Sequence, residues 1–151
     1  MNEESLSVFV DYVTNYYTTV SKEEAQVGTP YLIKDINANL FDYTGIIGIS
    51  GNFKGSVFFT APKVMLVHLL TELGLLSSQD SKVMDLVGEI SNTIAGNARR
   101  EFGEQFMLSV PIVLKGKSDD IGVMQMQAAN IYLIPIVWRR FKANLIINLG
   151  E

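Results

Sequence analysis

Asp85, Glu89, Asn92, Gly96 and Arg99 follow one another at steps of four, three, four and three within DLVGEISNTIAGNARREFG, residues 85–103. On a helix those steps keep all five on one stripe. Val83, Leu86, Val87, Ile90, Ile94, Ala98 and Phe102 form an apolar stripe opposite it. Glu89 and Asn92 therefore point the same way, about one turn apart. A carboxylate there can pair with a cation, and a carboxamide can both donate and accept a hydrogen bond. Gly96 removes a side chain from the stripe, so a partner surface could approach closely, at about 1 kcal/mol in helix propensity relative to alanine. Gly88 adds a similar cost beside Glu89, and asparagine is itself a poor mid-helix residue. Two other readings compete at the level of residues alone. The stripe is compatible with an ordinary solvated face, and Asp85 with Glu89 could begin a metal site, although no histidine or further carboxylate stands nearby.

Other chemistries are poorly supplied. The chain has no cysteine, which excludes disulfides, thiolate metal sites and cysteine nucleophiles. Its one histidine, His68, lies in PKVMLVHLLTELG, four residues before Glu72 and away from Leu66, Leu69, Leu70 and Leu73. That spacing reads as a solvated histidine with a helix-spaced partner. A Ser-His-Asp triad would have to use His68, and no nucleophile elbow accompanies it. The net charge of −4 argues against general nucleic-acid binding. The WRRFK stretch, residues 138–142, accordingly reads as a hairpin turn with solvated arginines. The acidic N-terminal stretch MNEESLSVFVDYV does not look like a signal peptide. No apolar run reaches the ~20 residues of a bilayer span. Cytoplasmic localisation without membrane insertion is the expectation.

The elements that must position the stripe are readable from periodicity. Leu6, Phe9, Val10, Val13, Tyr16 and Tyr17 predict a helix over residues 4–20. The polar cluster SKEEAQVGTP ends it, and a strand is expected over residues 31–40. TGIIGIS and SVFFTA predict a hairpin joined by GNFKG. A helix follows from Pro62, in its first turn, to Leu73, closed by Gly74. SSQDS supplies a turn and caps before the long helix, roughly 82–102, which Gly103 stops. One strand is then expected in MLSVPIVLKG, a turn at KSDD, an unassigned stretch over 121–129, and a closing hairpin of IYLIPIVW and KANLIINL. Pro135 inside the first of these suggests an edge or a bulge. The apolar final strands imply a covered or paired edge, and a homodimer joined through the sheet edge is expected.

Helix, strand and hairpin thus occur in the same order twice. FVDYVTNYYTTV can be laid on VMDLVGEISNTI, with Asp11 over Asp85 and Val13 over Val87. The expectation for residues 1–151 is a single α+β domain. Its two pseudo-symmetric helix-strand-hairpin halves, about 4–74 and 81–150, would share one mainly antiparallel sheet with the helices packed on it.

DLVGEISNTIAGNARREFG followed by LSVPIVLKG closely resembles the signature of the CheC/CheX/FliY family of chemotaxis phosphatases. The likeness is strongest over residues 81–117 and architectural elsewhere. In that family an E-x-x-N pair on a surface helix is catalytic, so the resemblance assigns that role to Glu89 and Asn92. The first-half alignment puts Asn15 over Glu89 and Thr18 over Asn92, so that copy lacks the pair. A single motif is similar to the CheX branch, whose members are homodimers. The implied activity is hydrolysis of the aspartyl phosphate of a CheY-like receiver domain. Asn92 would position the attacking water and Glu89 would dock to a lysine of the receiver. The resemblance implies no cofactor on this chain and Mg²⁺ on the receiver. Asp85, Gly96 and Arg99 are expected partner-binding positions. The alternative is a non-catalytic module that binds a receiver or the flagellar switch.

Overall fold

A computed structural model describes residues 2–116 and 130–150. Helix α1 (Glu3–Ser21) starts at Asn2, whose side chain accepts the Ser5 N–H at 2.8 Å. It ends at Lys22 in the left-handed region. Leu6, Phe9, Val13 and Tyr17 form its buried face, as the spacing predicts. Two short strands follow, β1 (Gln26–Val27) and β2 (Tyr31–Ile33). The hairpin of β3 (Tyr43–Gly51) and β4 (Lys54–Ala61) leads into α2 (Lys63–Glu72). Helix α3 (Asp80–Phe102) is followed by β5 (Phe106–Leu108) and β6 (Ile112–Lys115). The hairpin of β7 (Ile131–Trp138) and β8 (Phe141–Gly150) completes the described chain.

All eight strands belong to one antiparallel sheet, in the order β1-β7-β8-β4-β3-β5, with β2 also on β7 and β6 also on β3. The protein is thus an α+β domain. The first pair of short strands borders the second hairpin, the second pair borders the first hairpin, and β4 meets β8 in the middle.

Alternation along the central strands separates two cores. Ile47, Phe59, Leu145, Ile147 and Trp138 face the helices, within the larger cluster. Ile46, Phe58, Leu133 and Ile146 face the other way and meet Ile36 and Leu40.

Several expectations are corrected by local chemistry. The strand expected over 31–40 stops at Ile33, because Asp35 and Asn39 build a turn instead. The Asp35 carbonyl accepts from Asn39 Nδ2 at 2.7 Å, and residues 37–39 form a 3₁₀ turn that places Ile36 and Leu40 on the second core. The polar 22–30 segment contains β1, which its sequence does not advertise. The single strand expected in MLSVPIVLKG is two, interrupted at Ser109–Pro111, where Pro111 has no N–H to give. Gly48 and Ser109 bridge the gap: Gly48 N donates to Ser109 Oγ at 2.8 Å and Ser109 N to Gly48 O at 2.9 Å. The first hairpin is tighter than GNFKG suggests, with only Asn52 and Phe53 outside the strands.

Pro62 is the N-cap of α2 rather than a first-turn residue, and α3 begins at Asp80, ahead of Lys82. Pro135 causes no bulge: it stays in register with Asn144 of β8. Its carbonyl accepts the Gly28 N–H at 2.9 Å, so the donor it lacks falls on the side where the flanking strand is interrupted. The KSDD and 121–129 segments lie outside the described residues.

Helix α3 lies on β3 and β4 and also contacts α1, α2, β5 and β6. Its seat is Gly45. A Cβ there would fall on Ser91 Oγ and lie 3.1 Å from Val87 Cγ1. Ser91 is buried, with its hydroxyl donated to the Val87 carbonyl at 2.8 Å. The helix cannot come this close to a larger residue. Gly45→Ala is therefore expected to lower stability by about 1–3 kcal/mol, the usual range for overpacking. Urea denaturation checks this, and an unchanged midpoint would show that the helix has room to move.

Candidate functional site

Val83, Leu86, Val87, Ile90 and Ile94 are buried under α3. Each such side chain contributes about 1.5–3 kcal/mol on burial. Together they outweigh the about 1 kcal/mol lost at each of Gly88 and Gly96. That imbalance fixes the helix and turns the opposite stripe outward. Asp85, Glu89, Asn92 and Arg99 are all exposed on it. Gly96 is half-buried, and a Cβ added there would meet nothing within 4 Å.

The two glycines do different things. Gly96 faces open space, whereas Gly88 is buried. A Cβ at Gly88 would lie 3.6 Å from Val113 Cγ2 and 4.0 Å from Pro111 Cγ. The interrupted edge of the sheet therefore packs on the helix at Gly88, the residue before Glu89. On the α1 side stands Tyr16, a neighbour the sequence did not single out. Its phenol is pushed up from its ordinary value first by burial and second by the Glu89 carboxylate. Among the described residues no side chain hydrogen-bonds the Glu89 carboxylate or the Asn92 carboxamide; Thr93 Oγ1 donates to the Glu89 backbone carbonyl at 2.8 Å. Among the described residues no three His, Asp or Glu side chains gather to hold a metal ion, so Asp85 and Glu89 find no further ligand there.

Asp80 anchors the start of α3. Lys115 Nζ lies 2.8 Å and Lys63 Nζ 3.3 Å from its carboxylate, and Tyr43 Oη donates to it as well. These contacts join α3 to β6, α2 and β3. Hydrogen bonds from Lys115, Tyr43 and Lys63, in that order of weight, hold the Asp80 carboxyl well below the usual carboxylate range. The Tyr43 phenol is pushed up to about 12, first by burial and then by Asp80. The sequence of SSQDS points only to turns and caps, and the fold brings two lysines and a tyrosine to its aspartate.

His68 is exposed, as expected, but it meets Arg139, whose Nη1 is 3.2 Å from His68 Nδ1, and packs on the Phe141 ring at 4.7 Å between centroids. Arg139 also pairs with Glu23, at 2.7 Å, and with Glu72, and its guanidinium covers the Trp138 ring. This cluster staples the tip of the last hairpin to α2 and to the segment after α1. The arginine at 139 is thus engaged within the chain. Among the described residues no helix is long and apolar enough to cross a membrane.

The family model for chemotaxis phosphatase CheX matches residues 43–136. The chain belongs to the CheX family of chemotaxis phosphatases. No curated protein matches it. Solved structures extend the likeness over the whole fold. A CheC-like superfamily protein from Shewanella sp. PV-4 is 28% identical, with full coverage of both chains and a TM-score of 0.83. Chemotaxis protein CheX from Vibrio vulnificus is 25% identical over 97% of this chain and 99% of its own, with a TM-score of 0.79. A chain of the CheX–CheY–BeF₃–Mg²⁺ complex from Borrelia burgdorferi shares the fold at 18% identity, with a TM-score of 0.77 over 97% of this chain and 98% of its own.

The Asp80 anchor gives a pH signature. A carboxyl whose folded pKa is depressed contributes stability fully above its unfolded value, about 3.9, and loses it as pH falls through the lower folded value. Asp80→Asn is expected to lower the urea midpoint at neutral pH and to flatten its fall below about pH 4. Equal acid slopes for the two proteins would show that this carboxyl is not linked to folding.

Proposed function

We propose that this chain hydrolyses the aspartyl phosphate of a CheY-like receiver, with Asn92 positioning the attacking water and Glu89 docking to the receiver. The observation that carries the reading is the exposure of both side chains on one face of α3, in a chain of the CheX family. The Borrelia burgdorferi complex, in which CheX is bound to CheY with BeF₃ and Mg²⁺, supports the choice of partner.

The chemistry asked of this chain is modest. An acyl phosphate is already reactive, so hydrolysis needs a water held in line with phosphorus rather than a protein nucleophile. A carboxamide suits that work, because it is neutral toward the phosphoryl oxygens and both donates to and accepts from water. A carboxylate would repel the phosphoryl group unless it met a cation, so Glu89 is assigned to a receiver lysine. In this reading Mg²⁺ belongs to the receiver, where it offsets developing charge.

The test is the lifetime of a phosphorylated CheY-like receiver with each variant. Asn92→Ala is expected to cut the catalysed rate roughly 100-fold, the scale of losing one positioning group, while binding persists. Glu89→Ala is expected to weaken binding as well as slow hydrolysis. A wild-type protein that binds phosphorylated receivers without shortening their lifetime would make this chain a docking module instead.

A further inference from the structure

Beyond Asn92, α3 ends in a second feature. Gly96, Arg99, Arg100, Gly103 and Glu104 line an open surface hollow of about 410 Å³. Gly96 leaves one wall bare, and Gly103, at φ +93, turns the chain away from the helix. Both arginines are exposed, and neither joins the ion pairs formed among the described residues. The lining carries two guanidinium groups against the single carboxylate of Glu104, in a chain whose net charge is −4.

The pocket continues the stripe that bears the Glu89–Asn92 pair. The stripe is thus acidic at Asp85 and Glu89 and basic at Arg99 and Arg100, with Glu89 and Arg99 about 15 Å apart along the helix. A partner seated along it must offer a cation at one end and an anion at the other. Guanidinium groups bind carboxylates through paired, directional hydrogen bonds, so the hollow suits an aspartate or glutamate side chain.

We propose that the Arg99–Arg100 pocket receives a surface carboxylate of the receiver and adds affinity for the receiver at that end of α3. This inference rests on the receiver-phosphatase reading and adds a specificity pocket to it. Arg99 and Arg100 are partner-binding residues here, remote from the reacting phosphorus. They discriminate among receivers by charge, through affinity.

The experiment compares the wild type, an Arg99→Glu/Arg100→Glu double variant and an Arg99→Lys/Arg100→Lys double variant. Phosphate release is followed with a CheY-type receiver kept phosphorylated by acetyl phosphate. Kd is measured with the same receiver loaded with beryllofluoride and Mg²⁺. Charge reversal is expected to raise KM and Kd together by roughly tenfold and to flatten their salt dependence, with kcat at saturating receiver largely retained. The lysine variant, which keeps the charge, is expected to recover most of the binding. Unchanged KM and Kd on charge reversal would overturn the proposal and leave the arginines as solvated charges that offset the helix C-terminus. Loss of kcat with Kd unchanged would overturn it too. Should the wild type bind the receiver without dephosphorylating it, the phosphatase reading fails, and the Kd series still decides the pocket. A wild type that does not bind the receiver contradicts both.

Discussion

The close contact between α3 and β3 at Gly45 is the constraint from which the rest of the site follows. Ser91 and Val87 lie where a larger residue at position 45 would need to be. Once the helix is down on the sheet, its rotation is set by the apolar side chains beneath it. A rotation of about 100°, one residue, would bury charge and expose isoleucine. The outward direction of Glu89 and Asn92 is therefore a consequence of core packing rather than of any bond that the two side chains make. Asp80, held by Lys63, Lys115 and Tyr43, fixes the beginning of the helix, and Phe102, packed on Phe9, Phe53 and Phe106, fixes its end. A surface held at both ends and along its underside can meet a partner without distortion on binding.

The strand order gives the sheet a similar economy of support. Neither hairpin closes its own outer edge. β7 is bordered by short strands from early in the chain, and β3 by short strands that follow α3. The edge beside α3 packs on it: Pro111 and Val113 approach the helix at Gly88. The two arginines of α3's last turn occupy the opposite end of the exposed face from Asp85 and Glu89, so the helix carries a charge gradient along its exposed side.

Much of this was legible in the sequence, and what was not has identifiable causes. Strong 3.6-residue periodicity made α1 and α3 plain, since each must bury a single stripe, and that stripe also defined the exposed one. The hairpins were plain because their apolar runs are bounded by turn residues. The segment over 31–40 misled because Ile33, Ile36 and Leu40 are apolar enough for a strand, yet Asp35 and Asn39 favour a turn through their own hydrogen bonds. β1 escaped because its pairing with β7 comes from a partner more than a hundred residues away, which no local pattern encodes. The Asp80 anchor and the position of Tyr16 beside Glu89 escaped for the same reason. Each joins residues that only tertiary packing brings together. The Pro62 boundary was misjudged by a single position, a shift that leaves the helix's buried face unchanged.

The central claim is that the carboxamide of residue 92 does its work as a neutral group that both donates and accepts. Its most direct test is the lifetime of a phosphorylated CheY-like receiver in the presence of Asn92→Asp. The substitution keeps the shape of the side chain, replaces a donor with an acceptor and adds a negative charge. The account predicts that the receiver's phosphoryl group then persists nearly as long as it does alone. A lifetime as short as with the wild type would contradict it, and would place the water-positioning group elsewhere on the molecule.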